Sequence, residues 1–267
     1  MPAIATSCTN AKVTLGNDYY FRTCYLDPFQ GAILADWATE QDYNEIATIN
    51  SIGNEYTSGL VAAFTTQFEK NGGKVVDAET FQSDASDFKT ILTNIKTSGV
   101  KAVFAPTDYA YAPLLLNQAA DLGLKVQWIA GDAWNTPALT SDTGANAEGV
   151  ILDSAYAEGV DKAFDKGFKE WIQADSSRLE ANAGTTSLTG NQALSFDSYN
   201  VMLDAIQQAD SLDGSAICDA LLAMEKTDAV SGTLTFDQDG DAIRNTAYLL
   251  EVKDDTFTLA DTVTHTS

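Results

Sequence analysis

Acidic and aromatic side chains follow three apolar segments of the chain, and each of these segments has the pattern of a buried strand. These side chains are Tyr56, Asp108, Tyr109, Asp132 and Trp134. A carboxylate beside aromatic rings suits a small cation, because the carboxylate makes charge-assisted hydrogen bonds while the ring faces attract an ammonium group and exclude water. The sequence therefore predicts that these residues bind an amine.

Other roles for the same residues stay open at this stage. An aspartate at the junction of a strand and a helix often only caps the helix, and this applies to both Asp108 and Asp132. Tyr56 could simply pack over the edge of a sheet. The two aspartates could also form the paired carboxylates of a hydrolase.

A second candidate binding segment lies near the start of the chain, at Ser7, Cys8 and Thr9. Ser7 and Thr9 are two residues apart, with backbone N–H groups between them. Such groups can bind a carboxylate without a positively charged side chain. The alternative is an ordinary polar turn.

The elements that must position these residues alternate between strand and helix from Pro28 onward, with glycine at many joints. This alternation is typical of βα units and predicts an α/β fold with a parallel sheet. Ligands of such sheets lie beyond the carboxyl ends of the strands, where the acidic and aromatic residues are found. The predicted strands are 45–50, 74–81, 101–105, 126–130 and 149–155, and the predicted helices are about 28–37, 57–70, 83–98, 112–122, 161–175, 192–210 and 215–225.

Three local predictions concern the less regular parts of the chain. An Asp or Ser within 83–87 is expected to cap the helix that Gly99 ends. The residues beyond Asn135 are expected to form a loop that is rich in Thr, Ser, Asp and Gly. The segments 232–236 and 246–253, joined by a turn with Asp and Gly, predict a β-hairpin or a pair of edge strands.

The charge balance excludes two classes of partner. The chain carries 15 Lys and Arg against 38 Asp and Glu, which gives a formal net charge of −23. An acidic surface of this kind repels nucleic acid and anionic membranes. No apolar run reaches the roughly 18 residues that a spanning helix needs, so we also expect no membrane insertion of the chain.

Length, the first residues and the cysteines restrict the organisation less sharply. A chain of 267 residues can form one large domain or two lobes. Its start lacks the basic and apolar regions of a signal peptide, so the protein is either cytoplasmic or the chain has an internal start. A disulfide between Cys8 and Cys24 is possible, although three cysteines cannot all pair within one chain.

Constellations typical of enzymes are absent from the sequence. The single histidine, His265, lies close to the end of the chain, so neither a Ser-His-Asp triad nor a His-rich metal site can be assembled. The sequence has no G-x-S-x-G, Walker A or G-x-G-x-x-G motif. We therefore expect neither an enzyme activity nor a cofactor.

One segment resembles the first half of a calcium-binding loop through Asp237, Asp239 and Asp241. It has Ala242 where the glycine of the sharp turn belongs, and Tyr248 where the bidentate glutamate belongs. A hydrated turn is the better interpretation, and no metal site is predicted.

The order of motifs along the chain resembles that of the type I periplasmic binding proteins for Leu, Ile and Val. The motifs are IATSCTN, FRTCYLDPFQGAILADW, EIATINSIGNEYTSGLVAAFTTQFEKNGGKVV, SDFKTILTNIKTSGVKAVFAP, LGLKVQWIAGDAW and GTLTFDQDGDA. The resemblance covers nearly the whole chain and is strongest over about 19–135. It implies a two-lobed α/β fold of the Venus-flytrap kind, in which each lobe is a mostly parallel sheet flanked by helices and a three-stranded hinge joins the lobes.

The resemblance also implies how the chain divides between the lobes. A full member of the family carries a further segment before the equivalent of Ile4, so we expect lobe 1 to be incomplete here. The helices over 192–225 should then cover a sheet that is largely missing, which predicts an exposed apolar face. The implied parts are 1–25 as a remnant of lobe 1, 26–155 as lobe 2, 156–228 as the helical part of lobe 1, and 229–267 as the return to the hinge and lobe 2.

The family's ligand-binding positions fall on residues of both candidate segments, and three of them, Tyr56, Asp108 and Asp132, are also selected by their positions after predicted strands. The carboxylate-binding stretch falls on Ser7, Cys8 and Thr9, whose backbone N–H groups and Thr hydroxyl would be the donors. A tyrosine of lobe 2 falls on Tyr56, and the acidic residue that accepts the ligand ammonium falls on Asp132, where the Leu/Ile/Val proteins have the longer Glu.

A second tyrosine position of the family falls on Asp108, with Tyr109 adjacent to it. This difference adds a negative charge near the ligand and argues against a purely aliphatic amino acid. Trp134 completes the predicted set of ligand-binding residues.

The function implied by the resemblance is capture rather than catalysis. The protein would be the substrate-binding component of an ABC transporter that captures an amino acid, branched-chain or related, by hinge closure and delivers it to a membrane permease. The location would be periplasmic or extracellular, with a lipid anchor as one option for the full-length protein. The alternatives are a ligand-sensing domain of a receptor or regulator, a binder of an amide or aromatic acid, and the hydrolase considered above.

Overall fold

The computed structural model of the chain describes residues 1–264, so the prediction made for His265 lies outside the described residues. The strands are β1 Ala3–Ala5, β2 Tyr20–Arg22, β3 Glu45–Ser51, β4 Lys74–Phe81, β5 Ala102–Phe104, β6 Gln127–Ala130, β7 Ile151–Ser154, β8 Glu225–Lys226, β9 Leu234–Phe236, β10 Ala242–Ile243, β11 Thr246–Lys253 and β12 Thr256–Thr264. The α-helices are α1 Asp27–Glu40, α2 Glu55–Lys70, α3 Lys89–Ser98, α4 Ala112–Asp121, α5 Pro137–Thr143, α6 Lys162–Gln173, α7 Ser176–Ala181, α8 Gly190–Ala209 and α9 Gly214–Leu222.

A seven-stranded sheet with the order β12-β11-β7-β6-β5-β3-β4 forms the centre of the molecule. The five strands from β7 to β4 are parallel neighbours, while β11 and β12 are added in antiparallel orientation. The α/β fold with a mostly parallel sheet, predicted from the alternation of elements, is thereby confirmed. Two smaller sheets, β1-β2 and β10-β9-β8, lie outside it.

Apolar side chains point alternately to the two faces of the large sheet, and each face packs against its own helices. In β5, Phe104 belongs to the cluster under α1 and α2, whereas Val103 belongs to the cluster under α3 and α4. Phe64 of α2 stacks on Phe104 with ring centroids 4.0 Å apart. Burial on both faces explains why the central strands β5 and β6 are short and mostly apolar.

Helices α1 and α2 lie in direct backbone contact because a glycine stands at their crossing. A Cβ atom on Gly31 would lie 2.5 Å from the backbone nitrogen of Phe64, closer than any real side chain allows. The tight packing of these two helices fixes their N-termini, at Asp27 and Glu55, relative to each other.

The structure corrects two predictions for irregular segments. The segment 246–253 does not pair with 232–236, because β9 joins β8 and β10 while β11 lies between β7 and β12. A two-residue turn at Asp254 and Asp255, both with positive φ, instead joins β11 to β12. The residues beyond Asn135 are also not all loop, since α5 begins at Pro137.

Two further local predictions need correction. No Asp or Ser occupies the N-cap position of α3, which Phe88 holds, although the Asp87 carboxylate accepts a hydrogen bond of 2.9 Å from the Lys89 backbone nitrogen. The possible disulfide between Cys8 and Cys24 is not formed, because both are free thiols.

Helix α8, within the range 192–225, exposes apolar side chains, as predicted, and α6 adds one more. Phe196, Tyr199 and Leu203 of α8 are 47%, 66% and 46% exposed, and Trp171 of α6 is 53% exposed. The division of the chain into two lobes stays a prediction. Within residues 1–264, no helix has both the length and the apolarity needed to cross a bilayer.

Candidate functional site

A cavity of about 450 Å³ opens beyond the carboxyl ends of β3, β5 and β6. It is lined by Ser7, Cys8, Thr9, Asn10, Val13, Tyr56, Asp108, Asp132, Ala133 and Asn191. Six of the eight predicted ligand-binding residues line it. A larger groove of about 870 Å³ lies between α6 and α8, but it is lined by Phe, Trp and Tyr side chains without a charged group, so the chemistry is concentrated in the smaller cavity.

The N-terminus of α2 places Tyr56 at the cavity. Asn54 caps the helix, because its side-chain oxygen accepts hydrogen bonds from the backbone nitrogens of Tyr56 and Thr57. Gly131, at the end of β6, leaves room for the tyrosine, since a Cβ atom there would lie 2.4 Å from the Tyr56 hydroxyl. The hydroxyl donates a hydrogen bond of 3.0 Å to Oδ1 of Asp132.

Asp132 is a half-buried carboxylate in acidic surroundings. Burial, together with the charge of Asp27, raises the pKa of its carboxyl to about 6, although the hydrogen bond from Tyr56 lowers it. The amide of Gln30, oriented with its nitrogen toward two carboxylates, donates to Asp132 Oδ1 at 3.3 Å and to Asp153 Oδ2 at 3.2 Å. A cationic partner would relieve the energetic cost of this arrangement.

Two more buried carboxyl groups, Asp27 and Asp153, lie behind Asp132, and the three together are called the acidic cluster below. Asp153 accepts a hydrogen bond of 2.6 Å from the Tyr25 hydroxyl, and burial and the charge of Asp132 raise its pKa well above the usual value. Asp27 is 3% exposed, and within residues 1–264 neither of its carboxyl oxygens has a hydrogen-bond partner. Burial raises the pKa of Asp27 to about 6, although the nearby Thr9 hydroxyl and the Arg22 charge lower it.

The segment from Ser7 to Thr14 is held in place by Arg22, which is completely buried. Its guanidinium donates to the carbonyl oxygens of Cys8 at 2.6 Å and Asn10 at 2.7 Å. It also donates to the Thr14 hydroxyl at 2.6 Å and to Asp241 Oδ1 at 2.5 Å. The backbone of this segment is therefore fixed from behind and keeps its other face toward the cavity.

On the cavity side of this segment, the Thr9 hydroxyl lies next to the Asp27 carboxyl, whose pKa it lowers. Thr9 is buried, and its backbone carbonyl accepts from the Asp27 nitrogen at 3.0 Å, which fixes the residue. Cys8 is half-buried beside it, with the Tyr20 hydroxyl 4.0 Å from its sulfur, and Ser7 is exposed at the rim.

Asp108 lies half-buried on the other side of the α2 N-terminus. Its Oδ2 accepts a hydrogen bond of 2.8 Å from the Asn54 side-chain nitrogen. The cap residue of α2 thus holds one carboxylate, and the second helical residue, Tyr56, holds the other.

The structure does not bring Tyr109 and Trp134 to the cavity. The Tyr109 hydroxyl donates to Asp142 on the surface. Trp134 is completely buried in the core, where its ring nitrogen donates to the Thr107 carbonyl oxygen at 2.8 Å. A single 3₁₀ turn from Asp132 to Trp134 directs the two side chains apart, so we leave both aromatic residues out of the proposed site.

Asn191 is a cavity residue that sequence reasoning missed. It is the second residue of α8, and the helix begins there because Thr189 and Gln192 form a capping box. The T-x-x-Q spacing was the available signal. Asp153 was missed too, although a carboxylate inside the apolar segment GVILDSA was a signal of an unusual site.

The remaining candidate for a metal site, the turn that begins at Asp237, is stabilised by internal hydrogen bonds. The Asp237 carboxylate accepts from the backbone nitrogens of Asp239 and Asp241, each at 2.9 Å. The Asp241 side chain is already engaged with Arg22. Within residues 1–264, no group of three or more His, Cys, Asp or Glu side chains is arranged to hold a metal ion.

Comparisons with known proteins identify similar chains. A family model described as "Periplasmic binding protein" matches residues 1–256. The Leu/Ile/Val-binding protein homolog 3 of Brucella melitensis is 27% identical over 228 residues, covering 85% of this chain and 59% of that protein. The leucine-, isoleucine-, valine-, threonine- and alanine-binding protein of Pseudomonas aeruginosa is 24% identical over 241 residues, covering 89% of this chain and 61% of that protein. The chain thus spans about three fifths of these relatives' length.

Solved structures share the fold. The leucine-binding protein LivK of Thermotoga maritima superposes with a TM-score of 0.87 at 27% identity, covering 98% of this chain and 73% of that one. The branched-chain amino acid transporter substrate-binding protein LivJ of Streptococcus pneumoniae was solved with isoleucine. It superposes with a TM-score of 0.83 at 23% identity, covering 99% of this chain and 72% of that one. A solute-binding protein of Rhodopseudomonas palustris was solved with 3,4-dihydroxybenzoic acid. It superposes with a TM-score of 0.82 at 19% identity, covering 100% of this chain and 73% of that one.

Proposed function

The chain belongs to the periplasmic binding protein family, of the type I branched-chain amino acid kind, and we propose that it captures an amino acid for delivery to an ABC-transporter permease. One observation carries this proposal. The Asp132 carboxylate and the backbone segment Ser7 to Thr9 line the same cavity, which offers one site for an ammonium group and another for a carboxylate.

The ammonium group of the ligand is assigned to Asp132. The hydrogen bond from Tyr56 orients the carboxylate, and burial raises its pKa, which means that the ionised form lacks the solvation it would have in water. An ammonium group brought beside it would make a charge-assisted hydrogen bond in a partly desolvated place, where such bonds are strong.

The carboxylate of the ligand is assigned to the segment Ser7 to Thr9. Its donors are the backbone N–H groups and the Thr9 hydroxyl, and none of them brings a positive charge. The N-terminus of α8 at Asn191 lies on the same cavity, and the partial positive charge of a helix N-terminus favours an anion.

The cavity is lined from both predicted lobes, which supports capture by hinge closure. Thr9 and Asn191 come from the parts assigned to lobe 1, whereas Tyr56, Asp108 and Asp132 come from lobe 2. A ligand that bridges the two sets stabilises the closed form, because it contacts both sets only when the lobes meet. We propose that a membrane permease recognises this closed form and that the protein acts outside the cytoplasm.

The alternative of an aromatic acid without an amine is less consistent with the cavity. Such a ligand has no group that could neutralise Asp132, and its own negative charge would face two carboxylates. The related aromatic-acid binder is only 19% identical, and its likeness supports the fold alone.

A thermal-shift screen of the full-length protein against the common amino acids tests the proposal. A ligand at a hundred times its dissociation constant should stabilise the protein by about 2.7 kcal/mol. Asp132→Asn should abolish the shift, whereas Asp121→Asn, the same change at an exposed residue of α4, should retain it. The absence of a shift with every amino acid would exclude the amino-acid assignment.

The transport role is tested separately in cells. Deletion of the gene should abolish uptake of the labelled ligand and leave the uptake of unrelated solutes intact. Unchanged uptake would instead favour a ligand-sensing domain.

A further inference from the structure

The charges that line the cavity are all negative. Asp108 and Asp132 line it, and among the described residues no Lys, Arg or His does. A neutral zwitterion would bring one positive group for two carboxylates, together with a negative group of its own. One carboxylate of the cavity would then stay without a partner after binding.

Nearby cations are committed elsewhere. Arg22 lies behind the segment Ser7 to Thr14 and is saturated by that segment and by Asp241. Lys12 pairs with Glu55 at 2.8 Å on the surface, where both side chains are more than 70% exposed. Neither residue can neutralise Asp108 without giving up its present partner.

Asp108 is positioned to pair with a second group of the ligand. Asn54 holds its Oδ2, and within residues 1–264 no hydrogen bond reaches its Oδ1. Asn54 and Tyr56 hold the two carboxylates from different positions of the first turn of α2, so the carboxylates have separate anchors. One ligand group can therefore pair with Asp132 while another reaches Asp108.

On the proposed function as a premise, we propose that the ligand is an amino acid with a positively charged side chain, and that Asp108 selects it. The α-ammonium pairs with Asp132, and the side-chain ammonium or guanidinium pairs with Asp108. The cavity of about 450 Å³ is large enough for lysine or arginine, since ligand pockets of about 300 Å³ upward hold small molecules.

Calorimetric titration with two matched ligand pairs tests this inference. L-lysine is compared with L-norleucine, and L-arginine with L-citrulline, because each pair differs mainly in side-chain charge. The titrations are made at pH 7.5 and physiological salt, where the long-range field of the acidic protein is screened beyond about 8 Å. We expect the cationic member of at least one pair to bind about ten- to a hundredfold more tightly.

Two variants of Asp108 connect the preference to this residue. Asp108→Asn should bring the ratio of the two affinities close to one, because the amide keeps the shape and loses the charge. Asp108→Glu should retain a preference for the cationic ligand. The ratio of the two affinities is informative where a change in one affinity alone is not. If Asp108 had only a structural role, its loss would weaken the binding of both ligands of a pair equally.

The outcomes separate this inference from the proposed function. Equal or tighter binding of the neutral ligands, with Asp132→Asn still abolishing binding, would overturn the inference alone. A cationic preference that persists in Asp108→Asn would overturn the role of this residue. If none of the common amino acids binds, the proposed function fails, and the inference fails with it.

Discussion

Two polar clusters in the interior of this protein differ in whether their charges are compensated. The Arg22 guanidinium is completely buried, and its donors are matched by carbonyl oxygens, a hydroxyl and the Asp241 carboxylate. The acidic cluster of Asp27, Asp132 and Asp153 lies beside it, and each of its carboxyl groups has a raised pKa. A buried charge with a counter-charge stabilises a structure, whereas a group of carboxyls without a cation is a candidate site for a cationic partner.

The two groups meet at the segment Ser7 to Thr14. Arg22 holds the rear of this segment, and the Thr9 carbonyl holds the backbone nitrogen of Asp27. The hydrogen bonds of Arg22 thus position the residues that face the acidic cluster. Substitution of Arg22 should reduce the stability of the protein. Substitutions in the acidic cluster should instead alter ligand affinity or even increase stability.

The largest effect is expected from Arg22→Met. Removing one partner of a buried charge pair leaves the other charge uncompensated, so we expect the free energy of unfolding to fall by about 3–5 kcal/mol. Urea unfolding measures this loss. Lys12→Met removes a cation from an exposed pair and should leave the unfolding midpoint near that of the wild type. Similar midpoints for both variants would contradict the structural role of Arg22.

Asp27→Asn should change stability in the opposite direction. The folded pKa of about 6 lies above the unfolded value near 3.9, so the stability linked to this carboxyl is complete below about pH 4 and is lost as the pH rises through 6. The variant avoids this loss and should be about 1–3 kcal/mol more stable than the wild type at pH 7.5. Unfolding curves at pH 4 and 7.5 check the sign, and a destabilised variant at pH 7.5 would refute it.

Ligand affinity should depend on pH through Asp132. Its carboxyl must be ionised to pair with an ammonium group, and its pKa is raised to about 6 by burial. We expect binding to weaken about tenfold between pH 7 and pH 5, because the ionised fraction falls by that factor. Calorimetry over this range measures the change. A flat profile would mean that the cluster does not contact the ligand ammonium.

The smallest effect is expected from Tyr56→Phe. Loss of the hydrogen bond to Asp132 should weaken binding by about 0.5–1.5 kcal/mol, or roughly two- to tenfold. Because this bond lowers the pKa of Asp132, the pH midpoint of binding should also move upward. Tyr109→Phe, which removes a hydroxyl bonded to Asp142 on the surface, is the matched control and should leave binding unchanged. Equal losses of ligand affinity in both variants would mean that Tyr109 contributes to the site as much as Tyr56.

The candidate site could be predicted in part because parallel strands share a polarity. Once strands 45–50, 101–105 and 126–130 were recognised, the residues that follow them had to meet at one edge of the sheet. Asp132 lies in the cavity for this reason. Trp134 does not, because one 3₁₀ turn directs it into the core, and the spacing of residues alone does not specify that turn.

The sequence by itself determined the local elements and their order, because the periodicity of apolar residues and the positions of caps and glycines are local properties. Only the tertiary structure decided which strands are neighbours, as the position of β11 between β7 and β12 illustrates. It also brought Ser7 to Thr9 opposite Asp132, and Arg22 to Asp241, across long stretches of chain. The physical reason is that such contacts, and the pKa values of the buried carboxyl groups, depend on how all elements pack together.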